Sequence, residues 1–362
     1  MDLDRLIGRA ISIQSIPAPT FSEGARAAWI YKEFSKLDLY QPEQDPIGNI
    51  YLRIPGGDKP PIVITAHLDT VFPMDISLEL QQNLDTLCGP GIGDNSLSLA
   101  VLFELAEDLT EFELPGDVWL VANVGEEGLG NLLGMRQVVS KFGHNVSAYI
   151  ILEGMSLGHI YCKGLSVKRF RVSAEGPGGH SWIHSTRPSA IHTLIKVSDE
   201  LLHIEHSNSP KTSLNIGIFH GGTTVNSIAS HAYFDLDLRS ETEQGIHDLT
   251  QKVTDILTSM EIKDITLKTQ EIGERPGGSL PLDHPLLKAA KEALRSVGET
   301  DFSLEIGSTD ANIPLSMGLP AICIGLTRGG GAHSMDEYIE IPPIKRGYAS
   351  LVKLIQLTFD RS

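Results

Sequence analysis

The sequence contains little cysteine, no long apolar run and no cluster of basic residues. Its three cysteines, Cys88, Cys162 and Cys323, are isolated and show no paired spacing. This pattern suits a protein of a reducing compartment, where cysteines pack as small hydrophobic residues. No apolar stretch approaches the roughly 20 residues of a membrane-spanning helix. Without a stripe of lysine and arginine to bind phosphates, nucleic acid is not an expected partner.

The chain is long enough for two domains with separate cores. It has 362 residues, of which 41% are hydrophobic, and its formal net charge of −17 is spread along the chain. The first residues, "MDLDRLIGRAISIQSIP", have apolar positions at Leu3, Leu6, Ile7 and Ala10, which predicts an amphipathic helix rather than a signal peptide. We therefore expect a soluble, cytoplasmic protein.

Helical patterns and short apolar runs alternate over the first 160 residues. Such alternation predicts an α/β structure with a largely buried sheet. The apolar runs read "PIVITAHL", "DVWLVANV" and "SAYIILEG", and the predicted helices cover residues 2–14, 22–36, 96–109 and 131–141.

From Leu165 the rhythm changes to a strand, helix, strand, strand, helix, strand order, with helices near 188–205 and 243–258. This βαββαβ order is the ferredoxin-like pattern. After Pro276 the α/β style resumes, with helices near 284–297 and 343–358. We therefore predict one domain from residues 1–163 and 274–362, interrupted by an inserted domain at 164–273.

Acids and histidines follow several of the predicted strands. In "PIVITAHLDT", His67 and Asp69 are two residues apart and point the same way from the carboxyl end of a strand, where α/β proteins build their sites. Taken alone, they are better explained as a strand-end histidine and a turn-forming aspartate. Asp94, in "GPGIGDNS", lies just before a predicted helix and taken alone is better explained as a helix cap.

Three further motifs end in similar residues. "GEEG" contains Glu126 and Glu127 after a strand, "ILEG" ends a strand with Glu153, and "GGGAHSMDE" places His333 on a glycine-rich loop. Each could be a solvated turn or a surface loop. Strand ends of one sheet converge, however, and two histidines with three or four carboxylates suit a pair of Zn²⁺-like ions. Two such ions that share a carboxylate can polarise a carbonyl and activate a water.

The ordered motifs "HLDT", "GIGDN", "GEEG", "ILEG" and "GGAH", with an insert after "ILEG", resemble the M20 family of metallopeptidases and deacylases over nearly the whole chain. The resemblance implies a zinc-exopeptidase-like catalytic domain, with a mixed sheet flanked by helices, and a ferredoxin-like insert that acts as lid and dimerisation domain. It also implies a cis peptide bond after Asp94.

The resemblance implies a role for each site residue. His67 and Glu153 would bind one metal, Glu127 and His333 the other, and Asp94 would bridge them. Asp69 would orient His67, and Glu126 would be the general base.

Within the insert, the resemblance points to three more residues. His180 in "GPGGHS" would support the oxyanion, acting from the partner subunit of a homodimer, while Asn226 and Arg239 would bind the substrate's carboxylate. A turn residue remains the alternative for His180, and an edge-strand salt bridge remains the alternative for Arg239.

We therefore predict an enzyme that hydrolyses amide bonds with two divalent ions, zinc first and cobalt or manganese as alternatives. Small peptides are the first substrate class and N-acyl amino acids the second. Within the family that the chain resembles, a glutamate at the position of Glu153 is associated more with deacylases, whereas "GSTDANIP" looks closer to the peptidase loops. A catalytically inactive binding protein on the same fold is a third hypothesis. Dinucleotide binding through "GPGIGD" is weak, because the full G-x-G-x-x-G pattern is missing.

Overall fold

A computed structural model describes residues 1–37 and 41–361. The chain forms two compact units, which we call the large unit (Met1–Gly164 and Ser279–Ser362) and the insert (Leu165–Gly278).

The helices and strands of the described residues are numbered along the chain. The helices are α1 Leu3–Gln14, α2 Gly24–Phe34, α3 Leu97–Asp108, α4 Leu133–Phe142, α5 Ala190–Leu202, α6 Glu243–Ser259, α7 Pro285–Ser296, α8 Asn312–Ser316 and α9 Ile344–Arg361. The strands are β1 Glu43–Gln44, β2 Ile50–Ile54, β3 Lys59–His67, β4 Gln81–Gln82, β5 Thr86–Cys88, β6 Gly116–Asn123, β7 Ala148–Glu153, β8 His159–Gly164, β9 Ser166–Glu175, β10 Gly179–His180, β11 Thr212–Gly221, β12 Ser227–Ile228, β13 His231–Ser240, β14 Thr266–Arg275, β15 Gly278–Ser279, β16 Ser303–Gly307, β17 Ala321–Gly325, β18 Gly329–Gly330 and β19 Tyr338–Glu340.

The amphipathic pattern at the start of the chain folds as predicted. Helix α1 is capped by Asp2. The side chain of Asp2 accepts hydrogen bonds from the backbone N–H groups of Asp4 and Arg5. Its apolar face is buried, and Arg5 and Arg9 both pair with the fully buried Glu104 of α3. These ion pairs attach the first helix to the third.

The large unit is built on a mixed sheet in the order β1-β2-β6-β3-β7-β17-β8-β15, with β16 beside β8. Its centre, β6-β3-β7-β17, is parallel, whereas β2 joins β6 and β8 joins β17 antiparallel. The predicted mixed α/β fold, with helices flanking the sheet, is confirmed. In β3 the run from Ile62 to Ala66 is buried without alternation, as expected for a strand covered on both faces.

A second, small sheet of the large unit has the order β18-β19-β5-β4. Its strands contain only two or three residues, and the pairing of β5 with β19 places Cys88 opposite Tyr338. This sheet was not predicted from the sequence, since strands so short carry almost no periodicity. It joins the chain just before Asp94 to the chain just after His333.

The insert contains a four-stranded antiparallel sheet in the order β11-β13-β9-β14, with α5 and α6 packed against it. The order β9-α5-β11-β13-α6-β14 is the predicted βαββαβ pattern. The insert has its own apolar core, centred on residues such as Val172, Leu194 and Phe234.

Among the described residues, no helix combines the length and the apolar character needed to cross a membrane.

Candidate metal centre

Three neighbouring parallel strands bring the predicted site residues to one edge of the large sheet. His67 is the last residue of β3, Glu153 is the last residue of β7, and Glu126 and Glu127 follow the end of β6 at Asn123. Because β6, β3 and β7 are adjacent and parallel, their carboxyl ends lie side by side.

Asp94 lies between the two histidines. One of its carboxylate oxygens, Oδ1, is 3.0 Å from Nε2 of His67, and the other, Oδ2, is 3.2 Å from Nε2 of His333. Asp94 does not cap the following helix, which begins at Leu97 with no capping side chain. The peptide bond from Asp94 to Asn95 is cis, as the resemblance implied. Asp94 therefore links two groups of ligating atoms.

Each histidine has a second carboxylate beside it. Oε1 of Glu127 is 3.1 Å from Nε2 of His333, and Oε2 of Glu153 is 3.9 Å from Nε2 of His67. Ligating atoms of His67, Asp94 and Glu127 all lie within 4.8 Å of one another. The site thus has two halves, one on each side of Asp94.

Asp69 contacts His67, as expected, and also the backbone of the glutamate pair. Nδ1 of His67 is 2.9 Å from the main-chain carbonyl of Asp69 and 3.5 Å from its carboxylate Oδ1. The same carboxylate also accepts hydrogen bonds from the backbone N–H groups of Glu126 and Glu127, at 2.9 and 2.8 Å. Both the carbonyl and the carboxylate of Asp69 therefore face the imidazole of His67, and the carboxylate also binds the backbone of the glutamate pair.

The turn around the glutamate pair depends on glycine. Gly125 has a φ of 66°, in the left-handed region that favours glycine. A Cβ on Gly130 would lie 2.7 Å from the backbone of Gly125, so the chain closes tightly. Glu127 then reaches His333, while the carboxylate of Glu126 lies close enough to Glu153 to raise its pKa. The two adjacent glutamates thus serve different neighbours.

Negative charge is concentrated at this edge. Burial raises the pKa of Glu153 well above its usual value, and the carboxylates of Asp94 and Glu126 raise it further. Burial opposes ionisation of Asp94 too, but hydrogen bonds with the imidazoles outweigh it and hold the pKa of Asp94 well below its usual value. Hydrogen bonds with Asp94 and Glu127 raise the pKa of His333 to about 10. Such a site favours a bound cation.

The chemistry of the donors fits divalent metal ions. Imidazole nitrogens and carboxylate oxygens are ligands for Zn²⁺, and the same set accepts Co²⁺ or Mn²⁺. A carboxylate with one oxygen toward each half suits a site for two ions.

Three residues that were not predicted from the sequence form hydrogen bonds that support this edge of the sheet. Thr20 donates a hydrogen bond to Oδ2 of Asp69 at 2.9 Å, and Glu23 accepts one from the backbone N–H of Gly125 at 3.1 Å. The guanidinium of Arg26, only 1% exposed, donates to the main-chain carbonyls of Ile16 and Leu68. The sequence gives little indication of these three residues, because most of their hydrogen-bond partners are main-chain groups and a buried arginine has no sequence signature.

Two further buried residues were not assigned a part in the site. Nδ2 of Asn123, at the end of β6, donates to Oδ2 of Asp310 at 2.7 Å. The carboxylate of Asp310 also raises the pKa of Glu153. The side chain of Asp310 is buried beside the end of β6.

Within the insert, His180 and Asn226 lie on neighbouring backbone segments. The backbone N–H of Ser181 donates to the carbonyl of Asn226, and the Nδ1 atom of His180 accepts the backbone N–H of Trp182 at 3.1 Å. In neutral His180 this contact leaves the proton on Nε2, which makes Nε2 a hydrogen-bond donor.

Arg239 lies away from the segments that contain His180 and Asn226. It lies near the far end of β13, eight residues from His231, or about 26 Å of extended strand. Its guanidinium pairs with Asp237 at 2.7 Å, which is the salt-bridge alternative considered for it.

The chain was compared with known proteins. The model of peptidase family M20/M25/M40 matches residues 63–357. A succinyl-diaminopimelate desuccinylase from Corynebacterium glutamicum is 25% identical over 341 residues, covering 91% of this chain and 90% of that protein.

Two solved structures share the fold. A tripeptidase from Staphylococcus aureus has a TM-score of 0.81 at 20% identity and covers 99% of both chains. A dinuclear metal-binding M20 peptidase from Bacillus subtilis has a TM-score of 0.70 at 17% identity, also covering 99% of both chains. The family match spans most of the chain and includes the candidate metal centre. The chain therefore belongs to peptidase family M20/M25/M40 and is a metal-dependent hydrolase.

Proposed function

We propose that this hydrolase cleaves an amide bond in small peptides, using two divalent cations. The observation that carries the proposal is the position of Asp94, whose two carboxylate oxygens each lie beside a different histidine.

Each half of the site offers a histidine and a carboxylate in addition to Asp94. His67 and Glu153 would hold one ion, and Glu127 and His333 the other, with Asp94 shared between them. When bound, such a pair of ions polarises the substrate carbonyl and makes a water a stronger nucleophile. Zinc is the proposed ion, and cobalt or manganese are the alternatives.

Glu126 is the proposed general base. Its side chain is buried, it lies near Glu153, and its backbone N–H is held by Asp69. From there its carboxylate would accept a proton from the attacking water and return it to the departing amine. Glu127, the next residue, contacts His333 and is proposed to bind a metal ion with it, so Glu127 is not the proposed base.

His180 is the proposed donor to the oxyanion, because its Nε2–H is available. Asn226 and Arg239 stay predictions as carboxylate-binding residues. Strand β11, at the edge of its sheet, is the proposed homodimer surface: Ile218 and Phe219 are 45% and 41% exposed, and the outer edge of the strand could pair with a second copy.

We expect the protein to form a dimer that Ile218→Lys dissociates. A lysine on an edge strand disfavours pairing with a second chain. Light scattering measures the mass, and Ile195→Lys, at another exposed apolar position of the insert, is the control. A wild-type monomer with full activity would refute both the dimer and catalysis by a partner's histidine.

The substrate class is decided by a panel of dipeptides, tripeptides and N-acyl amino acids, assayed with zinc, cobalt or manganese. Likeness to the tripeptidase supports peptides, whereas the desuccinylase relative and Glu153 support N-acyl amino acids. We expect cleavage of peptides and its loss with a chelator. Cleavage of N-acyl amino acids alone would make the protein a deacylase, and no cleavage by metal-loaded protein would favour an inactive binding protein.

A further inference from the structure

Glu337 is a buried carboxylate whose hydrogen bonds all go to one loop. Its side chain is 0% exposed. Oε2 accepts the backbone N–H of Gly91 at 3.1 Å, and Oε1 accepts those of Gly93 and Asp94 at 2.7 and 2.9 Å. Three converging N–H groups offset part of the cost of burying this carboxylate.

The main chain of Glu337 strengthens the same connection. Its carbonyl accepts the backbone N–H of Gly89 at 2.7 Å, next to the pairing of Cys88 with Tyr338 in the small sheet. Both the side chain and the main chain of Glu337 therefore hold the segment that leads into Asp94.

The loop that contains Gly91, Gly93 and Asp94 is tightly packed. A Cβ on Gly93 would lie 2.7 Å from Cγ of Met155 and 2.9 Å from Cγ2 of Ile339. A Cβ on Gly154, directly after Glu153, would lie 2.0 Å from the carbonyl oxygen of Gly93. The Gly93 backbone is thus enclosed on several sides, and Glu337 supplies the hydrogen-bond acceptors that it needs.

Glu337 is only four residues after His333, whereas Asp94 is more than two hundred residues away in the chain. The relative position of Asp94 and His333, whose side chains are 3.2 Å apart, depends on what joins their loops. Glu337 lies in the same segment as His333 and forms hydrogen bonds directly with the loop that contains Asp94.

We infer that Glu337 is a positioning residue, which sets the place of the bridging carboxylate Asp94 relative to His333 and so the affinity for metal. The inference rests on the proposed function, since it concerns the same metal centre. Glu337 touches neither metal nor substrate in this scheme, and it acts through the backbone of Gly91, Gly93 and Asp94.

Glu337→Gln tests the inference with little change in shape. The glutamine oxygen can still accept two N–H groups, but its NH2 group faces the third donor. We expect zinc affinity, measured by competition with a chromophoric chelator, to fall about 10- to 100-fold, as for other residues that orient ligands. The visible spectrum of the Co²⁺-loaded protein should change as well. Glu337→Asp, whose carboxylate is one methylene shorter, should also bind zinc more weakly.

Asp336→Asn is the matched control, because it removes the adjacent, exposed carboxylate. It should bind zinc like the wild type. Thermal unfolding of the metal-free proteins separates positioning from general stability: a purely structural role would lower the melting temperature of Glu337→Gln and leave the zinc affinity of the folded protein unchanged.

The outcomes are distinct. If wild-type protein binds no divalent ion, the proposed function fails. If the wild type binds zinc, and folded Glu337→Gln and Glu337→Asp bind it equally well with an unchanged Co²⁺ spectrum, the inference about Glu337 fails alone. Should Glu337→Gln not fold, the affinity of Glu337→Asp decides.

Discussion

Glu126→Gln is expected to lower kcat by about 10²- to 10⁴-fold while leaving metal content unchanged. The substitution keeps the size of the side chain but removes its ability to accept a proton. The backbone N–H that anchors this residue to Asp69 is unaffected. Steady-state kinetics on the best peptide of the panel, together with metal analysis of the same sample, measures both quantities.

Glu127→Gln is the matched control, because it makes the same chemical change at the next position. Glu127 lies 3.1 Å from His333 in one half of the site, so its loss should weaken metal binding first. Full activity in Glu126→Gln would remove this residue from the mechanism. Equal loss of metal in both variants would show that the two glutamates do not have separate roles as base and metal ligand.

Asp94→Asn is expected to weaken binding of both ions, by more than the 10- to 100-fold typical of residues that only orient ligands. An amide can present an oxygen to one histidine, but its NH2 group then faces the other, and the negative charge between the two halves is lost. Calorimetric titration of metal-free protein with zinc gives the affinity and the number of ions.

Asp75→Asn, at an exposed position of the large unit, is the control and should bind like the wild type. A variant at Asp94 that still binds two zinc ions with wild-type affinity would contradict the shared carboxylate. Binding of only one ion by the wild type would refute the two-ion scheme while leaving a one-metal hydrolase.

Much of the fold was predictable because periodicity is a local property. The predicted helix at 2–14 is α1, Leu3–Gln14, and the predicted helix at 243–258 is α6, Glu243–Ser259. The run "PIVITAHL" lies in β3, whose buried residues form the middle of the sheet. The small sheet containing β5 and β19 could not be predicted, since its short strands are defined by pairing between distant segments.

The inventory of the metal centre was also predictable, because strand-end residues of a parallel sheet meet at one edge. His67, Glu126, Glu127 and Glu153 are brought together in this way, and Asp94 lies among them. The hydrogen bonds of Asp69 with the backbone of Glu126 and Glu127 were not predictable. A side chain that accepts backbone N–H groups 57 and 58 residues away in the chain leaves no pattern in its own neighbourhood.

By itself the sequence determined the longer helices and strands, the candidate ligand residues and the resemblance to the family, all of which depend on residue identity and short-range spacing. Only the tertiary structure decided how the ligands are held. Thr20, Arg26 and Glu337 act on this edge through hydrogen bonds to groups far away in the chain, most of them main-chain groups. Main-chain groups are the same for nearly every residue, so their partners become visible only when the chain is folded.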